Sequence, residues 1–438
     1  MTMKYPESTT VVLDRIIGGG QAIGTLESGK KAIVWGGLPG ETVEFKTTKS
    51  KKNFVEGIVT SVMAASKERI DPLDDESYLS TSPWQIMTFA AEQHYKAALI
   101  EEAFELHDIV LPAPITVYSN DVTSRYRNKV EFSWYGDIDE DGNETLDLAF
   151  FRRGSKGKVI ITDSSLLPTE MVTLAKQISA LLHKKGISAK SLKTLLIRCN
   201  QQKQCVWQLY IKDSSANVIS ESDAAHLPAM GGEVIFSNPK SPASVITERL
   251  ALFGNVTLSD SVLGYEFNYA TEGFFQVNIP VYEQALKDMA KFVQQKPVVD
   301  LYSGVGSIGL TIGGDNVTLV ELNEHAVREM RANIERMGKT TITAVLAASE
   351  QALDYITSDS CIIVDPPRAG LHADVVQRLL TERPARVIYL SCNPVTQARD
   401  VALLSEAYGI LHHQGYNFFP RTPHIEHLVV LDLVQPKD

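Results

Sequence analysis

The stretch VVDLYSGVGSIGL (298–310) runs from an apolar, strand-like segment straight into a glycine-rich turn and then a helical pattern. Gly304, Gly306 and Gly309 match G-x-G-x-x-G, where missing side chains permit a tight turn and close approach of backbone to ligand. Alone the motif suits any dinucleotide. Asp300, however, interrupts the strand end four residues before Gly304, where dinucleotide-binding folds usually stay apolar. Glu321 closes the next apolar run, VTLVEL (317–322), placed to accept hydrogen bonds from ribose hydroxyls. Two further runs, CIIVD (361–365) and VIYLS (387–391), alternate with helical stretches from about residue 280 onward. That alternation implies an α/β, doubly wound parallel sheet covered by helices on both faces.

The whole chain, 438 residues with 44% hydrophobic and 22% charged residues, has a globular composition that excludes disorder, collagen and coiled coil. No run approaches ~18 apolar residues, so no membrane span is expected. The start, MTMKYPESTT, has no basic segment followed by an apolar one, so no secretory signal is expected. Four cysteines (Cys199, Cys205, Cys361, Cys392) without a CxxC pair argue against a disulfide scaffold or a zinc site. A cytoplasmic protein is the economical reading. The net charge of −11 is unevenly spread: residues 1–212 hold 26 basic and 26 acidic residues, residues 213–438 hold 16 and 27. Residues 171–212 carry eight basic residues and no acid, with smaller clusters at 46–52, 125–129 and 152–158. The pattern suggests a nucleic-acid face in the first half, with Arg125 and Lys129 as candidate contacts.

Residues 9–62 read as a small all-β module, its β-branched stretches punctuated by Gly18–Gly20, Gly36-Gly37 and Pro39-Gly40. A helix is expected at about 92–106, packing on the catalytic domain, and another at 171–183. The expected partition is 1–62 for the barrel, 63–262 for a mixed α+β central domain and 263–438 for the catalytic domain.

The candidate chemistry lies at the strand ends. In VDPPRAGLH (364–372) two prolines fix a rigid turn that holds Asp365 and is followed by Arg368. In YLSCNPVTQARD (389–400), Cys392 sits at a strand end before an Asn-Pro turn and reads as a nucleophile. The other three cysteines read as small buried hydrophobes. FFPRTPHIEHLVVLDLV (418–434) places Glu426 at the mouth of an apolar strand. Ligands of doubly wound sheets bind at the C-terminal strand edge, so Asp300, Glu321, Asp365 and Cys392 should converge there.

Acids ending strands one and two resemble the S-adenosylmethionine site of class I methyltransferases. The order of Ile16–Gly24, LPGE (38–41), a lysine-rich stretch and a returning strand resembles the TRAM domain, an OB-like barrel. FFQVN (274–278), DLYSGVG, DPPR, SCNP and FPRTPHIE, with YRNKVEF (126–132), together resemble the RNA uracil-C5 methyltransferases that make 5-methyluridine. The resemblance implies S-adenosylmethionine as cofactor, Cys392 as nucleophile and Glu426 as general base. It implies that Gln276, Tyr302, Glu321 and Asp365 line the cofactor site beside Asp300, Gly304 and Gly306, with Asp365 also facing the base. Where the family often has Asn, this sequence has Ser307. Arg368 would meet the uracil or a flanking phosphate. Many members carry an iron–sulfur cluster on four cysteines, but the matching stretches 79–96 and 161–168 contain none, so no cluster is expected. The TRAM-like start is more typical of ribosomal members, which points to 23S rRNA as partner; no protein partner is implied. The alternatives are a transfer-RNA uridine methyltransferase, a base N-methyltransferase that would not need Cys392, and a non-catalytic RNA-binding factor.

Overall fold

The structure, a computed structural model, describes residues 9–434; the stretch 1–8 read for a leader lies outside them. Compactness divides the chain differently from the linear partition expected above. One unit comprises the residues up to Glu92, Val122–Leu258 and Pro420–Pro423; the other comprises Gln93–Asp121, Ser259–Phe419 and the chain from His424 onward. Neither unit is contiguous, because long-range strand pairing outweighs chain order.

The first unit begins with a closed barrel of five strands, in the order Thr9–Ile16, Ala22–Thr25, Lys31–Trp35, Phe54–Ala64, Thr42–Ser50. Alternation drives it inward: Val11, Leu13, Val34, Val43 and Phe45 are buried while their neighbours face out. Glu41 of LPGE is fully buried and acts as a clasp. Its carboxylate accepts from the backbone of Leu38 (2.8 Å) and Ser66 (3.1 Å) and from Arg69 Nε and Nη2 (2.5 and 2.7 Å). A seven-stranded sheet over residues 129–254 follows, with the helix Thr169–Lys184 laying Met171, Leu174, Ile178 and Leu182 into one hydrophobic core with Leu195, Ile197 and Trp207.

The second unit holds an eight-stranded sheet in the order Thr343–Leu346, Val317–Glu321, Val298–Leu301, Cys361–Val364, Arg386–Ser391, Glu426–Leu433, Tyr408–Tyr416, Val117–Tyr118. The first five strands are parallel, and Glu426–Leu433 runs antiparallel to its neighbour. All four apolar runs named from sequence are parallel strands here, so the doubly wound reading holds. The two-residue strand Val117–Tyr118, too short to carry a period, pairs with Gly415 and Tyr416. The helix expected near 92–106 spans Phe89–Glu105, and its Ile100, Ala103 and Phe104 join the sheet's core. Among the described residues no helix is long and apolar enough to cross a membrane.

Glu41→Ala takes the acceptor from two backbone N–H groups and from Arg69 Nε, and leaves the guanidinium its bond to the Gly36 carbonyl. The expected loss is about 3–5 kcal/mol of unfolding free energy for the barrel transition. Chemical denaturation followed by far-UV circular dichroism measures it, and an unshifted midpoint contradicts the clasp.

Candidate active site at the carboxyl edge of the parallel sheet

The turn after Val298–Leu301 is built by backbone conformations that few residues adopt. Tyr302 takes a left-handed φ of +63°, a non-glycine strain of about 1–3 kcal/mol of the kind that clusters at functional sites. Gly306 (φ +85°) starts the helix Ser307–Ile312. Gly309 donates its N–H to Asp300 Oδ2 at 2.9 Å, and a Cβ there would lie 2.4 Å from Leu319 Cδ2, so helix and strand meet this closely only at glycine. A Cβ on Gly304 would instead meet open space, and its N–H donates to Glu321 Oε2 at 2.9 Å. Glu321 Oε1 accepts from Asn323 N at 2.7 Å. Both acids expected at the strand ends therefore shape this turn.

Asp300 is fully buried, and its Oδ1 has no hydrogen-bond partner among the described residues. Burial pushes its carboxyl up to about 8 against the Gly309 N–H bond, and the nearby charges of Asp365 and Glu321 add to the shift. Burial also raises Asp365. Glu426, buried at its strand start, is raised well above the usual carboxylate range by burial and by Asp365, with Arg368 opposing. Cys392 is partly buried, and its thiol is pushed up to about 12 by burial, then Glu426 and Asp365, with Arg368 pulling the other way. Asp365 and Arg368 are thus each felt by both Cys392 and Glu426, and Asp365 is also felt by Asp300.

The rigid DPPR turn is tied to the cysteine segment. The Arg368 carbonyl accepts from Asn393 Nδ2 (2.9 Å) and Thr396 Oγ1 (3.2 Å), and Leu371 N donates to the buried Asp400 (2.8 Å). Arg368 itself is exposed, with Nη2 3.2 Å from His424 Nδ1. Gln276 is buried and belongs to the same unit. Ser307 Oγ meets Tyr282 OH at 2.7 Å. Sequence reasoning missed Tyr282: it lies on the buried face of Ile279–Ala290, where helical spacing reads as plain core.

The remaining two candidates lie in the first unit. Arg125 forms an ion pair with Asp163 (2.9 Å) and donates to the carbonyls of Ser164 and Leu167, so its guanidinium is occupied by its own fold. Lys129, on the strand Lys129–Tyr135, lies 3.9 Å from Glu131. The basic stretch 171–212 is likewise spent in part internally. Arg198 is buried, Lys185 pairs with Asp223, Lys203 pairs with Glu170, and Lys193 donates to Ser237 and Asn238. Lys176, Lys184 and Lys190 are exposed, as are Lys46, Lys51 and Lys52 on the barrel.

A family model described as tRNA (Uracil-5-)-methyltransferase matches residues 91–434. An uncharacterized RNA methyltransferase of Enterococcus faecalis is 29% identical over 422 residues, 90% of each chain. Another, from Fusobacterium nucleatum, is 26% identical over 97% of this chain and 95% of its own. The crystal structure of Pyrococcus abyssi tRNA (uracil-54, C5)-methyltransferase in complex with S-adenosyl-L-homocysteine shares the fold. It matches with a TM-score of 0.77 at 20% identity, covering 97% of this chain and 100% of that one.

A thiol pushed up to about 12 is almost wholly protonated at neutral pH. Alkylation of Cys392 by iodoacetamide at pH 8 should run far more slowly than that of a free cysteine, whose pKa is about 8.5. Its rate should still climb about tenfold per pH unit beyond pH 9. Peptide mass spectrometry reads the site, and alkylation at the rate of an unperturbed thiol contradicts the electrostatics.

Proposed function

The chain belongs to the tRNA (Uracil-5-)-methyltransferase family, and on that premise we propose that it methylates C5 of a uridine in structured RNA with S-adenosylmethionine, through a Cys392 adduct. The observation that carries this reading is the meeting of a partly buried thiol, Cys392, with the buried carboxyl of Glu426 at one strand edge. The cofactor fits the residues present. The orphaned Asp300 Oδ1 suits a cationic or donor group, Gly304 opens onto free space, and Glu321 supplies carboxylate oxygens at the next strand end. Gln276, Tyr302, Gly306, Ser307 and Asp365 complete the set we assign to it. When bound, S-adenosylmethionine supplies an electrophilic methyl group.

The protein's own residues supply the rest. Uracil C5 is a poor nucleophile until sulfur adds at C6. The Cys392 thiol gives up its proton to solvent, the resulting thiolate forms the S–C6 bond, and the C5=C6 electrons move to C5 and O4, giving C5 the character of an enolate carbon. Arg368 is the cation that favours the thiolate, and we assign it contact with the uracil or its flanking phosphate. After methylation of C5, the Glu426 carboxylate takes the C5 proton. The electrons re-form C5=C6, and the Cys392 thiolate leaves. Because burial raises Glu426, the carboxylate is a strong base once it is ionised.

For the RNA we propose a uridine of 23S rRNA. The support is the barrel with exposed Lys46, Lys51 and Lys52, which lengthens the phosphate-contacting surface carried by Lys176, Lys184 and Lys190 in the same unit. The transfer-RNA reading has an observation of its own. The Pyrococcus abyssi enzyme, named for transfer RNA, matches 97% of this chain.

Denaturing gels with 5-fluorouridine RNA should show a retarded protein–RNA band in wild type that Cys392→Ala abolishes. With ordinary uridine RNA, Glu426→Gln should accumulate the methylated adduct while turnover falls by on the order of 10²-fold or more. A band that persists in Cys392→Ala, or full turnover without the cysteine, overturns the mechanism in favour of a base N-methyltransferase. Mapping labelled methyl groups onto total RNA decides the substrate: label in 23S rRNA supports the proposal, and label confined to transfer RNA overturns it.

A further inference from the structure

Cys392 lies in the two-residue gap between the strand Arg386–Ser391 and the helix Pro394–Leu404. Glu426 is the first residue of the neighbouring antiparallel strand, where Ser391 pairs with His427 and Tyr389 with Val429. A nucleophile and a base on two strands and a short turn keep their spacing only if the three elements are held together. One buried side chain touches all of them.

Gln397 is fully buried in the first turn of that helix, its backbone N–H donating to Asn393 O at 3.1 Å. Its Nε2 donates to the Tyr389 carbonyl (3.0 Å) on the nucleophile's strand and to the His427 carbonyl (2.9 Å) on the base's strand. Its Oε1 faces His427 Nδ1 at 2.7 Å. Burial, with His413 and His412 nearby, holds His427 well below the usual imidazole range. Because the amide nitrogen already donates to two carbonyls, Oε1 is the acceptor and His427 Nδ1 carries the proton of this contact. Phe104 packs edge-on against that ring at 5.3 Å, which fixes its plane. The carboxamide thus uses both donors and its acceptor within a dry interior, where each lost bond leaves an unpaired polar group.

We propose that Gln397 is a positioning residue for the reaction, a clamp that sets Cys392 against Glu426 by tying the helix after the nucleophile to both strands. The proposal rests on the roles assigned above to Cys392 and Glu426. Gln397 is fully buried, so it acts through the elements it ties together. Its effect falls on the step that needs both side chains in register, since a displacement of about 1 Å can lower a rate by about 10²-fold.

The test compares the wild-type protein with Gln397→Leu and with the isosteric Gln397→Glu. Two rates are read: covalent trapping on 5-fluorouridine RNA, which needs Cys392 but no C5 proton removal, and turnover on uridine RNA, which needs Glu426 as well. The expected result is a fall in kcat of on the order of 10²-fold, a much smaller fall in trapping rate, and unchanged KM for RNA and affinity for S-adenosylmethionine. If either variant folds and keeps wild-type turnover, the clamp is wrong. It is equally wrong if trapping, turnover and cofactor affinity fall in parallel, because that marks general support of the fold. A wild-type protein that forms no trapped complex overturns the reading of Cys392 itself, and is distinguishable because it fails before any variant is compared.

Discussion

Carboxyl groups crowd the C-terminal edge of the parallel sheet with little positive charge to meet them. Asp300, Asp365 and Glu426 are all raised above the ordinary carboxylate range, Asp300 and Glu426 are buried outright, and Arg368 is the cation felt by Glu426 and Cys392. Such an arrangement works against the ligand-free protein. A carboxyl whose folded pKa exceeds its unfolded value favours folding at low pH, and that advantage is lost as pH rises through the folded value. For Asp300 the loss runs from about pH 4 to about 8. The fold tolerates this because the acids stand on rigid supports: a strand end, a double-proline turn and a strand start. A site of this kind is electrostatically prepared for a cationic ligand, which a sulfonium cofactor supplies.

Burial first, and then the same crowding, keeps the Cys392 thiol protonated until a charge or a proton acceptor arrives. Reactivity then depends on geometry more than on intrinsic acidity. That geometry rests on short tethers: Asn393 and Thr396 to the Arg368 carbonyl, Asp400 to Leu371, and Gln397 to both strands.

Much of this was legible in the sequence, and the exceptions have physical causes. Four of the five parallel strands announced themselves because buried parallel strands are continuous apolar runs, whereas Thr343–Leu346, at the sheet edge and only partly covered, did not. The glycine turn, DPPR and the cysteine at a strand end were legible because each demands a particular residue type. Tyr282 and Gln397 were not, since a polar side chain in an otherwise helical pattern reads as solvent-facing or as ordinary core, and only tertiary packing buries it. Val117–Tyr118 is too short to show a period. For the basic stretch 171–212 the acid-free count did not show Glu170 one residue before it or Asp223 beyond it, which Lys203 and Lys185 find in the fold. Arg125, read as an RNA contact, also holds Asp163 in the fold, a pairing the sequence did not show.

The claim that this edge is a set of protonated acids awaiting a cation is tested most directly by calorimetric titration of the wild-type protein near pH 7. S-adenosylmethionine and S-adenosylhomocysteine, which differ by the methyl group and the sulfonium charge, are each measured in buffers of different ionisation enthalpy. The account predicts net proton release on binding S-adenosylmethionine, less release with S-adenosylhomocysteine, and a reduced release in Asp300→Asn. Equal proton counts for the two ligands, or none for either, would contradict it.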